Sequence, residues 1–127
     1  MAKLVDYYIA DPEGEEYTST TFTGKKLFVL MYDIERANPK EIITIGNLTK
    51  EIKNQGIEIM YISGSGKEKS SEVLEKIGIK EKIFFADPTF IKSMIRSNPG
   101  LILLKNGIIM GKWHYNHLPT KELLLLL

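Results

Sequence analysis

Apolar positions along this chain repeat with two different periods, and each change of period marks the edge of an element. Residues 25–32 (KKLFVLMY) form an apolar run of strand length, as expected for a central strand covered on both faces. Asn38-Pro39-Lys40-Glu41 then joins a capping side chain, a proline at the first helical position and an acid in the first turn, so a helix starts there. Ile42, Ile45, Leu48 and Ile52 keep helical spacing, and Gly56 is expected to end the helix ahead of a second strand at 57–62 (IEIMYI). A Ser-Gly loop at 63–66 leads into a short amphipathic helix over 68–77, with Gly78 as its stop, and 83–86 (IFFA) reads as another short strand.

Asp87-Pro88 repeats the cap-and-proline signal and opens a helix through Phe90, Ile91 and Met94 that must stop near Asn98-Pro99. Two apolar runs, 101–104 and 108–111, flank Lys105-Asn106-Gly107, and Asn-Gly between such runs is the strongest short hairpin signal. A last helix starts near Pro119 or Thr120 and runs into five consecutive leucines. At the other end, 4–10 (LVDYYIA), the turn residues Asp11-Pro12-Glu13-Gly14 and the stretch 15–18 predict an N-terminal β-hairpin. Together these elements predict an α/β fold, a mixed central sheet flanked by helices with an N-terminal β-hairpin. No internal repeat or linker divides residues 1–127, which read as one domain.

Composition narrows the chemistry. With 127 residues, 43% of them hydrophobic and 26% charged, the chain is long and apolar enough to bury a core of its own. Seventeen basic against sixteen acidic residues leave a net charge of +1, so nucleic acid is not an expected partner. No apolar run approaches the roughly 18 residues that would span a bilayer, and the opening Met1-Ala2-Lys3-Leu4-Val5-Asp6 lacks the pattern of a signal peptide. There is no cysteine. Disulfides, thiolate metal sites and thiol nucleophiles are therefore all excluded.

The stretch from Met94 to Gly107 (MIRSNPGLILLKNG) resembles the second half of thioredoxin, where a proline precedes an apolar strand and a Lys-Asn-Gly turn. The early hairpin and Gly24-Lys25-Lys26 before the core strand resemble the peroxiredoxin and membrane-tethered thiol-oxidoreductase branch of that superfamily. The resemblance implies a thioredoxin-like fold with Pro99 at the family's cis-proline position. It lays 28–40 (FVLMYDIERANPK) over the active-site strand, loop and helix start, which puts Arg36 and Pro39 at the two cysteine positions and Leu30 at the buried acid. Nucleophile and proton-handling group are thus missing together, and thiol exchange has no route without a thiolate. Residues 95–100 (IRSNPG) and 111–119 (GKWHYNHLP) are similar to the soluble C-terminal domain of bacterial membrane proteins of the DoxX family. That likeness implies a bacterial domain tethered to a membrane through a segment outside this sequence.

The functional expectation is a redox-inactive module that binds a protein or peptide partner, with Tyr32, Arg36, Asn98, Pro99, Trp113 and His114 as candidate contacts. Arg36 beside the start of the Pro39 helix offers a guanidinium where helix N–H groups favour an anion, with Asp33 and Glu35 competing for it. Asn98-Pro99 should face this loop and form a peptide-binding edge. The opposing class is an enzyme of non-thiol chemistry, or a metal-binding domain, using Arg36, His114 and His117, for which Arg36 and His114 must converge or an acid must join the histidine pair. No cofactor and no metal are expected. Gly64-Ser65-Gly66-Lys67 is not a phosphate loop, because Tyr61 stands at the first glycine position and Glu68 at the hydroxyl position. Asp6, Asp11, Glu13, Glu15 and Glu16 read as a solvated acidic face, since calcium-loop spacing is missing. Leu123 to Leu127 are apolar all round the last helix, so Leu123, Leu124 and Leu127 are candidates for self-association unless a longer helix covers them.

Overall fold

The computed structural model describes residues 7–127. Among these, five strands form one mixed sheet: β1 (Lys25–Met31), β2 (Ile57–Ser63), β3 (Ile83–Phe85), β4 (Gly100–Lys105) and β5 (Ile108–His114). Their order is β3-β2-β1-β4-β5. The β1–β2 and β2–β3 pairs are parallel, whereas β4 runs antiparallel to both β1 and β5. Every residue from Leu27 to Met31 is fully buried, as a strand with both neighbours and both faces occupied must be.

Among the described residues, four α-helices cover the faces: α1 (Pro39–Ile52), α2 (Lys67–Lys76), α3 (Pro88–Met94) and α4 (Lys121–Leu126). Alternation along the strands sends side chains to two separate cores. One gathers Leu27, Val29 and Met31 with Ile42 and Ile45 of α1, Leu74 of α2 and Leu124 of α4. The other gathers Phe28, Leu30 and Ile62 with Ile9, Phe84 and, from α3, Ile91 and Met94.

The local signals act where the sequence places them. Asn38 accepts from the Lys40 N–H at 2.9 Å to cap α1, and Asp87 accepts from Thr89 N–H at 2.7 Å to cap α3. Asn106 and Gly107 both take positive φ, 52° and 80°, which is the two-residue turn that matches strand twist. Asn106 also accepts from the Gly24 N–H at 2.9 Å and so ties the hairpin to the entry of β1.

Several expectations are corrected. Helix α1 ends at Ile52 rather than at Gly56, because Lys53 turns extended and Asn54 takes φ 65°. Strand β5 runs on to His114, three residues past its expected end, since the register with β4 continues after a bulge at Leu103/Leu104. The N-terminal hairpin is short: Ala10 bridges antiparallel to Glu16 and to Phe85. Ile9 N–H goes to the Thr18 hydroxyl at 2.8 Å, and the chain enters a 3-10 turn over Thr18–Phe22 instead of continuing as a strand. Residues 4–6 of that expected strand, Asp6 included, lie outside the described residues. Asp11 is buried rather than solvated, because its carboxylate accepts from the N–H groups of Glu13 and Glu15 and holds the turn. Leu124 is fully buried in the core and presents no surface, Leu127 packs half-buried against that core, and Leu123 and above all Leu126, 82% exposed, face outward.

Candidate functional site

The carboxyl ends of β1, β2 and β3, the start of β4 and the end of β5 meet at one edge of the sheet, and their loops are laced together by short polar bonds. Gly64 N–H donates to Met31 O at 2.8 Å, Ile34 N–H to the Ser65 hydroxyl at 3.0 Å and Ala86 N–H to Ser63 O at 3.1 Å. Gly64 has no alternative here, since a Cβ would stand 2.6 Å from the Tyr32 carbonyl oxygen and 2.8 Å from Pro88 Cβ. The buried hydroxyls of Ser63 and Ser70 bond each other at 2.8 Å and anchor this loop to α2.

Asp33 organises the segment between β1 and α1. Its carbonyl accepts from the N–H groups of Arg36 and Ala37 at 3.2 Å and from the side-chain amide of Asn98 at 2.8 Å. Its carboxylate accepts from Glu35 N–H at 3.1 Å and stands 3.6 Å from Arg36 Nε. Of the two acids beside Arg36, Asp33 is the one that pairs with it, and Glu35 turns to Lys69 at 3.7 Å. The Arg36 side chain is otherwise exposed, and Asn38 already occupies the Lys40 N–H at the start of α1.

The bond between Asn98 and Pro99 is cis. Pro99 itself is buried. The Ser97 hydroxyl donates to Pro99 O at 2.5 Å and accepts from Tyr115 N–H at 3.0 Å, which clamps the loop to the end of β5. Asn98 Oδ1 is buried with no donor. Among the described residues, no hydrogen bond engages the backbone N–H or C=O of Asn98. A half-buried residue whose main-chain groups lack internal partners leaves them for water or a ligand.

Tyr32 closes a shallow groove of about 400 Å³ whose other walls are Lys92 and Arg96. Lys92 Nζ sits over the Tyr32 ring, 4.9 Å from its centre. Lys112 Nζ donates to Met94 O at 2.7 Å and closes the last turn of α3. Lys92 and Arg96 were not among the sequence candidates. Lys92 lies on α3 and Arg96 just past its end, and the available signal was that both basic residues closely precede Asn98-Pro99.

Trp113 is not gathered with Tyr32. Trp113 lies half-buried on the opposite face of the sheet, within the core of α1 and α4, and its indole fills the space over Gly111. His114 is exposed, opposite Gly100 in the β4–β5 register. Its ring packs 4.2 Å from Tyr115, and its Nδ1 accepts from Asn116 N–H at 3.1 Å. With Nδ1 engaged by the backbone, Nε2 is the nitrogen of His114 left to meet a ligand. Among the described residues, no three acid or histidine side chains are placed to share an ion.

No family model matches the chain, and no curated protein does. Solved structures do match. The thioredoxin domain of a thiol-disulfide oxidoreductase from Bacteroides vulgatus is similar with a TM-score of 0.65 and 16% identity, covering 88% of each chain. A thiol:disulfide interchange protein from Bacteroides sp. gives 0.69 and 16%, covering 97% of this chain and 84% of its own. StoA from Bacillus subtilis gives 0.67 and 13%, covering 98% of both. The chain therefore has a thioredoxin-like fold among thiol-disulfide oxidoreductase neighbours, and it carries no cysteine in any position.

Proposed function

We propose that this chain is a redox-inactive thioredoxin-like domain that binds an extended segment of a protein partner along the Asn98 edge. The carrying observation is the pair of unengaged main-chain groups on Asn98, held by the Ser97 and Asp33 clamps beside the groove of Tyr32. An extended peptide satisfies such groups by adding strand-like hydrogen bonds. The neighbours named for thiol-disulfide exchange supply an analogy of fold, and the missing thiolate removes their chemistry while leaving this edge intact.

The setting we propose is an accessory module of a bacterial membrane assembly. The likeness of residues 95–100 and 111–119 to the soluble domain of DoxX-family proteins supports it. Intact mass and membrane fractionation of the native gene product test that setting: a heavier, membrane-bound product agrees with it, and a soluble product near 14.5 kDa overturns it.

Peptide binding is tested by fluorescence anisotropy with short, acetylated and amidated peptides of degenerate sequence. Saturable binding that weakens when a single peptide nitrogen is methylated supports main-chain pairing, and no binding by any pool overturns the reading. Insulin reduction should stay at the rate of a blank.

A further inference from the structure

The groove beside Asn98 is charged on one side only. Lys92 and Arg96 are exposed and have no carboxylate partner among the described residues, whereas Arg36, Lys69 and Lys82 each do. The acids around this end of the sheet are already engaged: Asp33 by Arg36 and a backbone N–H, Glu35 by Lys69, and Asp87 as the cap of α3. Lys112, held on the Met94 carbonyl at the end of α3, is a further positive charge with no carboxylate partner among the described residues. A concave patch lined by one sign of charge raises the local concentration of the opposite sign.

We propose that this groove selects an acidic residue in the bound segment, an inference that rests on the peptide-binding reading. The carboxylate sits between the Lys92 ammonium and the Arg96 guanidinium, whose planar fork matches two carboxylate oxygens. The apolar stem of a glutamate lies along the Tyr32 ring, where Lys92 is already drawn by the ring's negative face. Asn98 is two residues beyond Arg96, so the charge-reading groove and the main-chain-pairing edge belong to one continuous stretch of backbone. The partner is thus an extended acidic peptide segment.

The test compares two labelled peptides, one rich in glutamate and one with every glutamate replaced by glutamine, on the full chain and on the Lys92→Gln, Arg96→Gln double variant. The glutamate peptide should bind the unaltered chain about tenfold more tightly, as expected for two exposed charge pairs, and added salt should shrink the difference. The double variant should lose that advantage, so that the two peptides bind it alike. An unchanged urea midpoint confirms that it is folded. Equal affinity for both peptides overturns the acid preference and leaves peptide binding standing. A preference that survives in the double variant also overturns it, by removing the groove from recognition. Failure of both peptides to bind overturns this inference and the peptide-binding reading together.

Discussion

The side-chain amide of Asn98 donates to the carbonyl of Asp33 across 2.8 Å, which joins two loops 65 residues apart in sequence. It is the direct link between the cis-proline loop and the segment that carries Arg36. The Asn98 Oδ1 on the other side of the amide has no donor, so the residue serves here as a donor alone. Replacing it by alanine removes one bond and should cost about 1 kcal/mol in urea denaturation.

Asn98→Asp should be worse at neutral pH, because a carboxylate would then face the Asp33 carbonyl. Only the protonated acid can donate there, so its folded pKa is raised above the unfolded value of about 3.9. The stability of this variant should be fullest below that value and fall as pH rises through the folded one. Denaturation midpoints that are flat from acid to neutral pH would contradict the donor role.

Gly64→Ala should destabilise by roughly 1–3 kcal/mol, since its methyl group meets backbone atoms of Tyr32 and Pro88 that cannot move independently. Gly66→Ala has open space around its Cβ position, so it meets no clash and should show only the smaller cost of alanine at the N-cap of α2. A calorimetric comparison in which both variants melt alike would deny the close approach of the two loops.

Leucines in the last helix should divide sharply. Leu124→Ala empties a fully buried site and should cost about 2–5 kcal/mol, whereas Leu126→Ala, at an 82% exposed position, should change the urea midpoint little.

Tyr61 is fully buried and its hydroxyl bonds Thr49 Oγ1 at 3.0 Å. Burial pushes its pKa above the ordinary 10.0, a shift that the Thr49 bond partly opposes and the Glu81 charge assists. The raised folded value means that this hydroxyl's contribution is fully present below about pH 10 and is lost as pH rises through the folded pKa. Tyr61→Phe should therefore be less stable than the parent at neutral pH and close the gap above pH 10, which parallel urea titrations would show.

Much of the fold was legible because its signals are local. Asn38-Pro39, Asp87-Pro88 and Asn106-Gly107 each specify a backbone geometry within a few residues, and each element stands where those residues place it. The resemblance around Asn98-Pro99 also located the loop that the structure holds in cis. The groove was less legible. Arg36 stood out by its place in the alignment, yet it is paired to Asp33 and exposed, while Lys92 and Arg96 look in sequence like ordinary helix-surface charges.

The sequence alone determined that thiol chemistry is impossible, since an absent atom type needs no coordinates to exclude it. It also determined the succession of strands and helices, because periodicity and caps are properties of neighbouring residues. Tertiary structure decided the rest. That Trp113 and His114 face opposite sides of the sheet follows from the extension of β5, which depends on pairing with β4. That Leu124 is core and Leu126 surface follows from which side of α4 meets the sheet. That Tyr32, Lys92 and Arg96 share a groove follows from α3 packing back over the end of β1, a contact across some 60 residues of chain that no local pattern encodes.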